Sequence, residues 1–160
     1  MKVSLLLDGS QLRKYKQEWE EHLAHPEKNP LLDDAGLRRN TFVLENDLCL
    51  YSQNPQLSDG LTGSGIIVTK AQRATVFDLT PEEWAATYEL LHQVKAHLDH
   101  MYRPDGYTVG WNVNPAGGQH IPQVHLHVIP RFETDPFAGC GIRYFYRQCI
   151  RQSQEFAHGQ

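Results

Sequence analysis

From Gln123 to Val128 polar and apolar residues alternate without a break, Gln123, His125 and His127 against Val124, Leu126 and Val128. Side chains alternate faces along a strand, so the pattern predicts a half-buried β-strand with an apolar floor and polar rings above it. At roughly 3.3 Å rise per residue the two histidines stand about 6 to 7 Å apart on one face. A helical period governs two other stretches. Leu12, Tyr15, Trp19 and Leu23 predict a helix over 10–25 that stops before Pro26. Trp84, Tyr88, Leu91, Val94, Leu98 and Met101 predict a longer helix, packed by that stripe on a sheet until about Tyr102. Thr80 and Glu83 form a capping-box pattern at its start, with Pro81 in the first turn. Residues 41–44 and 48–51 read as strands joined by Glu45-Asn46-Asp47, and 65–69 and 107–112 read as further strands. The stretches 26–40, 52–63, 113–118 and 132–141 read as loops, 142–146 as a strand or short helix, and 152–160 as a loose tail. Hairpin-paired strands with helices on one side predict an α+β fold around an antiparallel sheet, one domain over 1–151 with its core at 40–145.

Composition narrows the classes of function. A chain of 160 residues with 40% hydrophobic and 21% charged residues is an ordinary single globular domain. Its net charge of −4 argues against a general binder of nucleic acid or anionic membrane. The apolar run at 3–7 is too short for a signal peptide or a membrane span. Cys49, Cys140 and Cys149 are few, odd in number and without C-x-x-C spacing, which suits a reducing cytoplasmic setting with Cys49 in the core. Of the nine histidines, His22, His25, His92, His97, His100 and His158 read as surface residues. His125 and His127 are set apart by their shared strand face and by the turn before them.

That turn, Gly117-Gly118-Gln119-His120, suggests exposed backbone N–H groups able to cradle an anion, phosphate above all. Neutral imidazoles beside it would supply nucleophiles or bases at neutral pH. Two strand histidines also permit a metal reading, since Gly118, His125, His127 and Glu133 approach the spacing of cupin-type Fe or Mn enzymes. That match is off by a residue on each side of the histidine pair, and two good helices suit an all-β barrel poorly.

The run from Asn112 through Gly118-Gln119 to Gln123-Val124-His125-Leu126-His127-Val128-Ile129 resembles the signature of the histidine triad (HIT) family of nucleotide hydrolases and transferases. The strand at 66–68, the capped helix and the segment 136–143 resemble bacterial members described as diadenosine-tetraphosphate-hydrolase-like. The resemblance implies a HIT-like antiparallel β-sheet with one long helix packed on it, here with an additional N-terminal helix, and a homodimer meeting through the long helix and a strand. It implies a small-molecule nucleotide substrate, adenine in particular, with no cofactor, metal, nucleic-acid or membrane partner. It places the phosphorus-attacking nucleophile on His125, an orienting or phosphate-contacting role on His127, and phosphate contacts on Asn112, Gly118, Gln119 and His120, with ribose contact on Asn54. His120 stands where relatives often carry a small hydroxyl residue. The chain departs from the pattern twice: Gln123 replaces the first triad histidine, and Ser64 stands where an upstream histidine is usual. Glutamine cannot carry a proton. Leaving-group protonation should therefore suffer, dinucleoside polyphosphates should be favoured over amine-linked substrates, and Gln123→His should raise turnover. A nucleotide-binding protein without turnover is the alternative on the same fold.

Overall fold

The strand signals assemble into one antiparallel sheet in the order β1-β2-β3-β5-β4, in a computed structural model that describes residues 7–39, 42–54 and 60–158. The strands are β1 Phe42–Glu45, β2 Cys49–Gln53, β3 Gly65–Thr69, β4 Gly106–Gly110 and β5 His125–Arg131. Thr41 and the loop positions 55–59 lie outside the described residues. Asn46 closes the first hairpin: its Oδ1 accepts from the N–H groups of Leu48 and Cys49, and its Nδ2 donates to the carbonyl of Ala86. Register then decides what shares a face. His125 stands opposite Val68, and His127 stands between Ile66 and Gly110. These residues therefore face one way, while Tyr51, Ile67, Leu126 and Val128 face the other.

Helix α3, Pro81–Tyr102, covers that second face, and its capping box at Thr80 and Glu83 is formed as expected. Its buried side differs from the expected stripe. Glu83, Thr87, Leu90, Val94 and Leu98 turn inward, whereas Trp84, Tyr88 and Met101 remain exposed. The two polar residues can be buried because both are paired. Thr87 Oγ1 donates to the Glu83 carbonyl at 2.7 Å, and the Glu83 carboxylate meets the Arg73 guanidinium at 2.8 Å. Trp84 stacks on Trp111, with ring centroids 5.4 Å apart. Close approach is needed once in the sheet: a Cβ on Gly65 would stand 2.5 Å from the Tyr51 hydroxyl.

The histidine face is roofed rather than open. Helix α1, Ser10–Ala24, is followed by a short turn at Pro26–Lys28 and by α2, Asp34–Arg38, inside the stretch expected to be loop. Arg38, paired with Asp34 within the helix, ties α2 to Glu45, and Ser52 Oγ donates to the Leu37 carbonyl. Leu50, Val68 and His125 are consequently buried, so β5 is covered on both faces where a half-exposed strand was expected. At the other end α4, Ile142–His158, takes in residues 152–158 of the stretch expected to form a loose tail, and 159–160 lie outside the described residues.

Candidate active site on the histidine strand

His125 and His127 lie edge to face, with ring centroids 4.9 Å apart. His125 Nδ1 is 2.7 Å from the Gln123 carbonyl, which can only accept, so Nδ1 carries the proton and Nε2 keeps its lone pair. Burial pushes the His125 imidazole down to about 4, against the raising effect of that hydrogen bond and with His127 and His120 pulling the same way as burial. Burial first, and His120 second, also lower His127. Both rings are therefore neutral at physiological pH. His127 Nε2 is buried without a hydrogen-bond partner. An unpaired buried ring nitrogen costs free energy unless a ligand meets it.

His127 borders a cavity of about 600 Å³ between the sheet and the roof. Leu31, Asp33 and Leu37 wall it from the N-terminal side, and Ser52, Asn54, Ser64, Ile66 and Ile129 from the sheet. The size and the mostly apolar wall with few polar groups are those of a small-molecule site. Asn54, a candidate from the sequence, is among these residues. Ser52 and Asp33 were missed: a buried serine in a strand and an acidic loop residue carry no local signal of a pocket.

The turn before β5 differs from expectation. The N–H groups of Gly117, Gly118 and Gln119 are consumed inside it by the carbonyls of Asn114 and Pro115, so they do not form an open anion cradle. Gln119 is buried and acts as a latch: Oε1 accepts from the Asn114 N–H, and Nε2 donates to the carbonyls of Ala74 and Ile121. Gly118 takes φ +92°, which favours glycine, and the exposed Asn112 side chain lies against it. His120 stacks on Tyr15 of α1 at 4.9 Å and is lowered chiefly by burial.

Gln123 also departs from its expected place in a row with the histidines. It lies in the bend before β5 and is wholly buried. Its Nε2 donates to the Thr69 carbonyl and lies near Thr69 Oγ1 and the Ala71 carbonyl, while Oε1 accepts from the Arg73 N–H. Both ends of the amide are thus spent on the turn after β3, and Arg73 continues the chain of contacts to Glu83 of α3. No group of three His, Cys, Asp or Glu that could hold a metal occurs among the described residues, so Glu133 does not complete a set with His125 and His127. None of the described helices is long and apolar enough to cross a membrane.

What remains at the site is a buried neutral imidazole at His125, a second imidazole at His127 with an unmet nitrogen, and beside His127 a cavity sized for a small molecule. A family model described as the HIT domain matches residues 39–134. The chain is 32% identical over 90 residues to an uncharacterized HIT-like protein of Synechococcus elongatus, covering 55% of this chain and 75% of that one. It is 25% identical over 75 residues to an asymmetrical bis(5'-nucleosyl)-tetraphosphatase of Schizosaccharomyces pombe, covering 47% of this chain but only 41% of that protein. Among solved structures, a HIT family protein from Bacillus anthracis superposes with a TM-score of 0.56 at 17% identity, over 76% of this chain and 91% of that one.

Proposed function

Because this chain belongs to the HIT family, we propose that it is a nucleotide hydrolase or nucleotidyl transferase acting at the α-phosphate of nucleoside 5'-phosphate derivatives such as dinucleoside polyphosphates. The observation that carries the proposal is the tautomer of His125, with Nδ1–H held by the Gln123 carbonyl and Nε2 free. Nε2 attacks the α-phosphorus as the bond to the leaving polyphosphate oxygen breaks, and that oxygen keeps the electron pair. The Gln123 carbonyl stabilises the charge that develops on the ring, as an acceptor behind a nucleophilic or basic histidine does elsewhere. Water then displaces the ring from phosphorus, releasing the nucleoside monophosphate and a proton. His127 meets a phosphate oxygen or the leaving group with the nitrogen that is otherwise unpaired. On this reading Asn112, Gly118 and His120 stand toward the phosphates and Gln119 shapes the turn that presents them, while Asn54 and Ser52, which line the cavity beside His127, stand toward the nucleoside. Gln123 is a positioning residue, since its side chain is spent on the turn at 69–73. The substrate is a small-molecule nucleotide, with adenine the base tested first.

A homodimer in a reducing, cytoplasmic setting completes the reading. The exposed Trp84 and Tyr88 of α3 and the edge strand β4 would meet their copies across a two-fold axis. The test is incubation with diadenosine tetraphosphate followed by mass spectrometry of the trapped protein. An adenylyl group on His125, absent in His125→Ala, is the expected result. Stabilisation by adenosine monophosphate with no adduct and no turnover would replace the enzyme with a nucleotide-binding protein.

A further inference from the structure

The cavity beside His127 carries one group that the chemistry proposed above leaves unused. Asp33 is the one charged side chain on its wall among the described residues. It stands at the N-cap of α2, yet its side chain makes no cap hydrogen bond. An aspartate in that place ordinarily accepts from the N–H groups of the first turn. Asp33 also forms no ion pair among the described residues, and Arg38 of the same helix is taken by Asp34 and Glu45. Its carboxylate lies over Gly36, a second residue of the cavity wall, where a Cβ would stand 2.5 Å from Asp33 Oδ2. Both oxygens therefore keep their capacity to accept at the cavity.

The walls around this carboxylate suit a flat ring. Leu31 and Leu37 bound the cavity on the roof. Ile66 and Ile129 bound it on the sheet, on the face that bears His127. The other polar groups have work elsewhere. Ser52 Oγ donates to the Leu37 carbonyl, and on the reading above His127 meets phosphate and Asn54 stands toward the ribose. An acceptor-only group between apolar walls is left for the edge of the base.

Acceptor-only chemistry discriminates between bases. Guanine presents two adjacent donors, N1–H and the 2-amino group, which match the two oxygens of a carboxylate. Adenine presents one amino donor beside the lone pair of N1, and that lone pair repels the second oxygen. Hypoxanthine keeps N1–H but lacks the amino group.

We propose that Asp33 reads the base of the bound nucleotide and makes guanine the preferred one, with adenine accepted through a single hydrogen bond. The inference rests on the nucleotide reading above and adds to it the residue that selects the base.

The test is isothermal titration calorimetry of the full chain with guanosine, adenosine and inosine monophosphates, which needs no turnover. Asp33 is exposed on its outer side, so solvent screens part of its effect. The wild type should bind guanosine monophosphate about tenfold more tightly than either of the others. Asp33→Asn exchanges one acceptor for a donor, which opposes guanine and suits the N1 and amino pair of adenine. It should lower the ratio of guanine to adenine affinity about tenfold or more, with an unchanged urea midpoint. Equal affinities for the three nucleotides in the wild type would overturn the base assignment and leave the nucleotide reading standing. An equal loss for all three in Asp33→Asn would move the carboxylate to the ribose and overturn it too. Binding of none of them would overturn both the inference and the reading it rests on.

Discussion

Replacing Gln123 by histidine restores the residue type that the family carries at the start of its triad, but the contacts of Gln123 imply a cost in stability and no gain in turnover. Gln123 is fully buried and bridges the Thr69 carbonyl at 3.0 Å to the Arg73 N–H at 3.1 Å. A neutral imidazole has one donor and one acceptor on a rigid ring, so it cannot span both groups as the flexible amide does. One or both backbone groups are then buried without a partner, at about 1–3 kcal/mol each. Allowing for some relaxation, the total is about 2–4 kcal/mol. For a chain of this length about 1 kcal/mol shifts the melting temperature by roughly 2–4 °C, so a fall of roughly 5–15 °C is expected. The Gln123 carbonyl that orients His125 belongs to the backbone and survives the change. Turnover at a temperature where the variant is folded should therefore stay within a fewfold of wild type, with no gain. Calorimetry and steady-state kinetics on the same preparations decide the matter. An unchanged melting temperature with turnover raised tenfold or more would refute the reasoning, because it would require the side chain at 123 to reach the substrate.

Acid should weaken the fold through His125. An unfolded chain takes up a proton near pH 6.5, but the buried ring resists until about pH 4. The unfolded state thus binds more protons in that window, and stability falls by about 3 kcal/mol as pH drops across it. Urea midpoints should show this slope in wild type and much less of it in His125→Gln, and parallel curves would refute the assignment. Gly65→Ala forces a methyl against the buried Tyr51 ring and should cost about 1–3 kcal/mol, read as a lower midpoint; a neutral result would show that the ring can move aside. Diadenosine tetraphosphate should be cleaved faster than adenosine phosphoramidate substrates with basic amine leaving groups, since burial keeps both site histidines neutral and a polyphosphate, unlike an amine, leaves without taking up a proton. Equal rates would show that another group delivers the proton.

The parts of the fold readable in the sequence are those whose signals are local. Thr80, Pro81 and Glu83 mark the start of α3, and the β-branched run at 65–69 coincides with β3. The histidine strand was legible because its alternation and its glycine turn lie within a few residues. The facing of α3 was not. Trp84 and Tyr88 outrank Glu83 and Thr87 in hydrophobicity, and only Arg73 and Cys49, distant in the chain, make the polar pair the buried one. The same reason misplaced two glutamines. Gln119 and Gln123 have the chemistry of phosphate-site amides, but their partners at Ala74, Asn114, Thr69 and Arg73 are met only after folding. The part of the roof after α1 was read as loop because its elements, the turn at Pro26–Lys28 and α2, are short, and α2 takes its order from Arg38, Glu45 and Ser52.

The roof has a consequence for how such a protein can diversify. Leu31, Asp33 and Leu37 wall the cavity from a stretch that ends where the family match begins, whereas His125 and His127 stand near the far end of that match. On the proposed chemistry, admission of a guest and breakage of its bond are written in separate passages of the chain. Exchange or trimming in the first passage changes which nucleosides are let in while leaving the attacking nitrogen and its carbonyl support alone, so selectivity can drift across generations at constant reactivity.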